Sequence, residues 1–338
     1  MLNKTVSLIP DYSILNKLTQ LFGPPGTERV VAEYISTQLQ PYSNQITIDT
    51  MGNLIVRRQG TGKRIMVAAH MDQVGIIVTN IDKEGFLRFS ILGSIPITAL
   101  NKQRVMFRNG RIGVISIEKI EKLTDLKLEK HYIDIGASSR KEAGQFVQIG
   151  DPAVFVGSYT ECGSRLISKA FDDRIGCFVA IEAFKRLKTA HELVFVFTVQ
   201  EEVGTRGAQT AAYALDPDLA IAVDVTVTGD TPKAHQMSVE LGKGAAIKVF
   251  DRSMVTSPQV KRWMSNIAVK NKIPFQWEVL ESGGTDSGAI HLTKGGIPSG
   301  VISIPTRYIH SPAEMVDKND VEAAVNLLVA LLESSAEL

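Results

Sequence analysis

Two adjacent glutamates, Glu201 and Glu202, end the apolar run "ELVFVFTVQEEVG". Neighbouring like charges repel, and each loses hydration where a strand leaves the core. A solvated loop ahead of a helix would explain one such pair. Other apolar runs in this chain end the same way, however. His70 and Asp72 close "RIMVAAHMD", Asp172 and Asp173 stand in "SKAFDDRIG", Asp224 sits inside "LAIAVDVTV", and His310 follows "SGVISIPTRY". Singly, each has an ordinary reading. His70 reads as a hydrogen-bonded core histidine, and Asp172 and Asp173 as a helix cap and a first-turn acid. Asp224 resists such a reading, because a carboxylate in an apolar strand is costly unless paired or bound to metal. Together, two histidines and three or four carboxylates fit a site for two divalent ions. Imidazole suits zinc or cobalt, and carboxylates bridge ions about 3.5–4 Å apart. One glutamate of the pair then ligates metal, and its neighbour stays free as a general base.

Such a set must be brought together by the fold. Residues 11–40 read as two helices around "FGPPGTE", the second capped by Thr27. "QITIDTMGNLIVRRQG" reads as a hairpin, and "RIMVAAHMD" as a strand buried on both faces. From residue 74 to 163 the texture changes to short β-like runs separated by turns. This predicts an inserted, smaller β-rich domain, with a discontinuous larger domain over 1–73 and 164–338. Within the insertion, "EKIEKLTDLKLEKHY" reads as a solvated loop or a helix edge. Beyond it, "DDRIGCFVAIEAFKRLK" predicts an amphipathic helix whose first acids suit the helix dipole. Strands at "ELVFVFTV", "LAIAVDVTV", "GAAIKVF", "FQWEVLE" and "SGVISIP" alternate with helices near 205–214, 257–271 and 319–333. The fold class is α/β, a mostly parallel sheet sandwiched by helices, in which chemistry gathers at the carboxyl ends of strands.

Composition narrows the partners. The 338 residues carry 37 Lys plus Arg against 36 Asp plus Glu, a formal charge of +1. That balance, with no basic run interleaved with aromatics, gives no case for nucleic acid. No apolar stretch reaches the roughly 18–20 residues of a membrane helix. The start "MLNKTVSLIPDYS" lacks a signal-peptide apolar region, and Cys162 and Cys177 form no C-x-x-C pair. The expectation is a cytoplasmic, reduced protein.

The ordered motifs "AHMDQVG", "KAFDDRIG", "VQEEVGTRGA", "AVDVT", "SGGTDSGAI" and "IPTRYIHSP" resemble the M42 family of dinuclear metalloaminopeptidases over nearly the whole chain. That group includes glutamyl aminopeptidases and tetrahedral TET peptidases, and some members carry an endoglucanase label. The resemblance implies a zinc-peptidase-like catalytic domain and an aminopeptidase acting on peptides. It implies that His70, Asp172 and Asp224 hold one ion and that Asp172, Glu202 and His310 hold the other. Asp172 is then the bridge, Glu201 the base, and Asp72 orients His70. It further implies that the β domain serves oligomer contacts, in a twelve-subunit shell or a dimer. Related metal-dependent carboxypeptidases and deacylases share the ligand order but carry their extra domain after the Glu-Glu pair, so they are the alternative. Glycoside hydrolysis by Glu201 and Glu202 is a weaker one, since it needs neither histidine.

Four more residues are candidate substrate contacts. Thr285 and Asp286 lie in the Gly-rich "SGGTDSGAIH", where a turn and a cap are the plain reading. Arg307 and Tyr308 could contact substrate or an oxyanion, or simply pack in their loop. His131, His191, His235 and His291 read as structural or surface residues. Cys177 reads as core and Cys162 as inert.

Overall fold

The computed structural model describes residues 10–234 and 236–338. The first nine residues and His235 lie outside the described residues. The chain opens with α1 (Tyr12–Gln20), α2 (Arg29–Leu39), β1 (Ile46–Ile48), β2 (Leu54–Arg58) and β3 (Arg64–His70). It continues through β4 (Gly75–Ile81), β5 (Leu87–Leu92), β6 (Arg104–Phe107), β7 (Ile112–Ile117), β8 (His131–Asp134), the short α3 (Arg140–Ala143) and β9 (Pro152–Phe155). After β10 (Thr160–Cys162) and β11 (Arg165–Ser168) come α4 (Phe171–Arg186), β12 (Glu192–Thr198), α5 (Arg206–Leu215) and β13 (Leu219–Thr226). The last elements are β14 (Ala245–Phe250), α6 (Pro258–Lys270), β15 (Phe275–Val279), α7 (Asp286–Ile290), β16 (Ser299–Arg307), β17 (Glu314–Asp317) and α8 (Lys318–Glu333).

Among the described residues, eleven strands build one mixed sheet and six close a separate barrel in the order β4-β5-β8-β7-β6-β9. The centre of the sheet, β12-β3-β13-β16, is parallel. Its flanks are mainly antiparallel, including the β1–β2 hairpin. Side chains alternate across the central strands, as the two-residue strand period requires. On β3, Ile65, Val67 and Ala69 join a core with α1, α2, α4, α6 and α8. Met66 and Ala68 join another with α5 and α7. Helices therefore cover both faces, which lets these strands be apolar on each side. The barrel has its own core around Val78, Leu87, Phe107, Ile115 and Ile133.

Five local expectations change. β10, whose sequence texture groups it with the insertion, pairs with β11 in the larger sheet. The charged segment before Tyr132 contains two 3-10 turns and then opens β8, the strand through which β5 and β7 are joined. The helix α4 is not amphipathic: Phe171 to Phe184 are all buried. It packs against β3 and β13 on one side and against α1, α2 and α8 on others. Its leading acids are not first-turn residues either. Asp172 (φ −74°, ψ 109°) and Asp173 (φ −115°, ψ 38°) are non-helical, and the peptide between them is cis. Thr27 does not cap α2; its hydroxyl donates to the Pro24 carbonyl, and the helix starts after Glu28. Among the described residues no helix is long and apolar enough to cross a membrane.

Candidate metal centre

Parallel strands deliver their carboxyl ends to one edge, and the candidate residues meet there. His70 ends β3, in register with Thr198 at the end of β12, three residues before Glu201. Asp224 lies near the end of β13, and His310 follows β16. The His70 Nδ1 stands 3.1 Å from the Asp72 main-chain carbonyl. Donating there leaves Nε2 free to face the acids. That Nε2 is 3.0 Å from Asp172 Oδ1, 3.8 Å from Asp224 Oδ1 and 3.9 Å from Glu201 Oε2. On the other side, His310 Nε2 is 3.0 Å from Asp172 Oδ2 and 3.4 Å from Glu202 Oε2. Asp172 thus spans the two imidazoles, one oxygen toward each.

Two clusters have donor atoms mutually within 4.8 Å: His70, Asp173 and Asp224, and Asp172, Glu202 and His310. Asp173 is close by, but its oxygens are engaged elsewhere. They accept from the main-chain N–H of His70 at 3.1 Å and of Gly176 at 3.0 Å. Asp172 is the carboxylate that faces both imidazoles, while Asp173 also holds the main chain of His70 and Gly176.

Two further acids hold main chain in the same manner. Asp72 accepts from the N–H of Glu201 at 3.0 Å and of Glu202 at 3.1 Å. Its carboxylate lies 3.5 Å from His70 Nδ1, beyond good hydrogen-bond distance, so it grips the glutamates more than the imidazole. Glu314 accepts from His310 N at 2.9 Å and from Asp172 N at 3.1 Å. Sequence reasoning missed Glu314, whose only signal is being an acid four residues past His310. The grips hold a main chain with unusual torsions. Ala170, Gln200, Tyr308 and His310 adopt φ of 58°, 58°, 61° and 63°, a region that non-glycine residues enter at a cost of order 1 kcal/mol each.

Burial and mutual proximity set the electrostatics of the cluster. Burial, then neighbouring acids, raises the Glu202 carboxyl to about 8 and that of Asp224 to about 7, and lifts Glu201 well above its ordinary value. Burial raises Glu314 to about 8, with Asp172 adding to it. Burial alone would lower the His310 imidazole, but Glu202 and Asp172 lift it to about 10. Burial would raise Asp172 too, yet the two imidazoles hold it below the carboxylate range. Glu202 Oε1 is buried with no hydrogen-bond partner among the described residues. Such a concentration of buried acids calls for cations, and a mixed imidazole–carboxylate donor set suits zinc-type ions.

The substrate candidates do not all join the centre. The Arg307 guanidinium is committed to Asp230, with Nε 3.0 Å from Oδ1 and Nη2 2.7 Å from Oδ2. Tyr308 is half exposed. Thr285 caps α7 by accepting from Ser287 N. It also lines a cleft of about 910 Å³ with Thr205, Gln209, Tyr213 and Leu292. Asp286 accepts the Thr198 hydroxyl, and burial raises it to about 6. The remaining described histidines are tied to main-chain carbonyls, His131 to Lys127, His191 to Ser334 and His291 to Ser287. Cys177 is buried and Cys162 exposed, both as free thiols.

A buried centre of two histidines and several acids, at the carboxyl edge of an α/β sheet, defines a metal-dependent hydrolase. The family described as M42 glutamyl aminopeptidase matches residues 52–327. A putative aminopeptidase of Acetivibrio thermocellus is 52% identical, the match covering 94% of this chain and 97% of that protein. An aminopeptidase from the archaeon Desulfurococcus kamchatkensis superposes with a TM-score of 0.91 at 38% identity, over 95% of this chain and 94% of that one. The TET1 peptidase of Pyrococcus horikoshii, whose structure reports assembly into a tetrahedron or a large octahedral shell, has a TM-score of 0.87 at 33% identity, over 96% and 99% of the two chains. The chain belongs to the M42 family. It is a metal-dependent aminopeptidase, a hydrolase of peptide bonds.

Proposed function

We propose that the protein removes N-terminal residues from peptides with two divalent ions, zinc or cobalt. His70, Asp172 and Asp224 hold the first ion. Asp172, Glu202 and His310 hold the second, and Glu201 is the general base. The observation that carries this reading is the Asp172 carboxylate, 3.0 Å from an imidazole nitrogen on each side. Bound ions supply a Lewis acid for the scissile carbonyl and acidify a water. Glu201 would take a proton from the attacking water while the water oxygen adds to the carbonyl carbon. As the C–N bond breaks, Glu201 returns the proton to the departing amine. Asp72 keeps the base and its ligating neighbour in fixed relative positions through their main-chain N–H groups. Thr285, Asp286 and Tyr308 stand as peptide contacts; Arg307 acts through Asp230 to hold its loop.

The chain works as a homo-oligomer, a dodecamer or a dimer, with the barrel providing contacts. The shells formed by the P. horikoshii relative support this. The barrel's place between His70 and Asp172 favours this activity over the deacylase alternative. The cytoplasm suits the exposed thiol of Cys162, which stays reduced there.

The test is an assay on chelator-stripped protein, with Zn²⁺ or Co²⁺ restored, against aminoacyl-p-nitroanilides and their N-acetylated forms. Only free-amine substrates should be cleaved, and only with metal. Glu201→Gln should keep both ions and lose on the order of 10³-fold in kcat. Full activity in that variant would refute the base assignment. Equal cleavage of blocked substrates would refute the aminopeptidase reading.

A further inference from the structure

The two halves of the centre are built by different parts of the molecule. His70 and Asp224 stand on β3 and β13, central strands paired on both sides. The His70 main chain is also pinned, its N–H by Asp173 and its carbonyl by the Cys177 thiol. Glu202 and His310 instead lie on loops, and each loop meets a glycine of the inserted unit or of its return.

Gly93 follows β5 of the barrel. A Cβ built there would lie 2.9 Å from Glu202 Oε2, 3.3 Å from Glu202 Cβ and 2.9 Å from Val74 Cγ1. Carbon atoms do not approach that closely without displacement. The oxygen that would have to yield is the one that faces His310 Nε2 at 3.4 Å. Gly157 follows β9, on the return from the barrel. A Cβ there would lie 2.3 Å from the Pro312 carbonyl oxygen and 3.1 Å from Lys169 Cβ. Pro312 is two residues past His310, and a main-chain atom cannot swing aside as a side-chain end does.

We infer that the barrel module sets the position of the second ion's own ligands: Gly93 seats the Glu202 carboxylate, and Gly157 seats the loop that carries His310. His70 and Asp224, which serve the first ion only, are held by the sheet and do not depend on these contacts, while Asp172, shared by both ions, is held by Glu314. Gly93 and Gly157 are positioning residues, acting through Glu202 and His310. The inference rests on the two-ion reading above.

The fold supplies a matched control. Gly93 has φ +93°, where any side chain is strained. Gly110, in the barrel turn before β7, has φ +85° and nothing within 4 Å of a built Cβ. Gly110→Ala therefore imposes the same backbone penalty on the same domain without touching the centre.

The experiment is a zinc titration of stripped protein, read by calorimetry and by elemental analysis after dialysis. The wild type should bind two ions; a wild type that binds fewer overturns the two-ion reading itself. Gly93→Ala should bind the first ion as the wild type does and the second about tenfold or more weakly. Gly110→Ala should bind both normally. Gly157→Ala, measured alongside, should reproduce the selective loss from the His310 side, and it decides the matter should Gly93→Ala fail to fold by circular dichroism. Normal binding of both ions in the folded glycine variants, parallel loss of both ions, or the same loss in Gly110→Ala would each overturn the inference.

Discussion

A carboxylate that accepts two main-chain N–H groups fixes a loop more firmly than one that accepts a single bond, because it constrains position and orientation together. Glu314 does this for Asp172 and His310, the residue proposed to bridge and one of its partners. Glu314→Gln replaces one accepting oxygen by an NH₂ group that must face an N–H donor. We expect a loss of about 10–100-fold in metal affinity or in kcat/KM. Chelator competition and steady-state kinetics at saturating zinc would measure it, and wild-type values in both would show that the grip is dispensable. This role left no trace in the sequence. His70, Asp172, Glu201, Glu202, Asp224 and His310 were legible because each interrupts or ends an apolar run, where a charge needs a reason. Glu314 and Asp173 act on main-chain groups, which any residue possesses, so no pattern of residue types marks their partners. For a similar cause the sequence leaves open whether Arg307 meets substrate or packs in its loop, since Asp230, its partner, is 77 positions away.

Between elements, the same economy joins α2 to the loop after β12. Glu28, just ahead of α2, accepts from Gly26 N at 2.8 Å and Gln200 N at 3.1 Å, both through Oε1. Burial, helped by the charge of Asp72, raises its carboxyl from 4.5 to about 6. Above about pH 6 Glu28 is ionised in both folded and unfolded chains, and the folded state carries the full penalty of burying the charge. As pH falls from 6 toward 4.5 the folded state takes up its proton first, and the penalty disappears. The shift corresponds to at most roughly 2 kcal/mol. Glu28→Gln retains an Oε1 for both bonds and cannot ionise. Metal-free Glu28→Gln should therefore be more stable than metal-free wild type at pH 8, and equal to it near pH 4.5. Urea midpoints at the two pH values would check this; an advantage that grows on acidification would contradict it. At this scale the parallel centre and its alternating helices were readable from hydrophobic period. The all-round burial of α4 was not, because its Arg174 and Glu182 look like a solvated stripe. The structure buries Arg174 completely and satisfies it with the carbonyls of Met71, Leu18, Leu21 and Gly23. β8 was hidden by the charged turns that precede it.

The whole molecule is a helix-covered sheet, with a core on each face, and a barrel with a core of its own, joined at one seam. No residue of β4 to β9 belongs to the buried clusters on either face of the large sheet, and the barrel closes around its own. The strands that leave and rejoin the larger domain are neighbours: Ile76 pairs with Ala153 and Ile77 with Pro152, antiparallel. Paired residues in such a ladder stand about 5 Å apart, so roughly three linker residues could replace the whole barrel. Excising residues 76–154 in this way should leave a chain that still unfolds cooperatively in urea, because both cores of the large sheet survive intact. It should bind the first ion, through His70, Asp172 and Asp224. It should lose the second, because Gly93 no longer stands against Glu202, and with it most activity. It should also run as a monomer in light scattering, if the barrel provides the contacts between copies. A shortened chain that assembles like the full protein would move the oligomer interface onto the sheet and its helices. One that collapses without a cooperative transition would mean that the seam, not the separate cores, holds the molecule together.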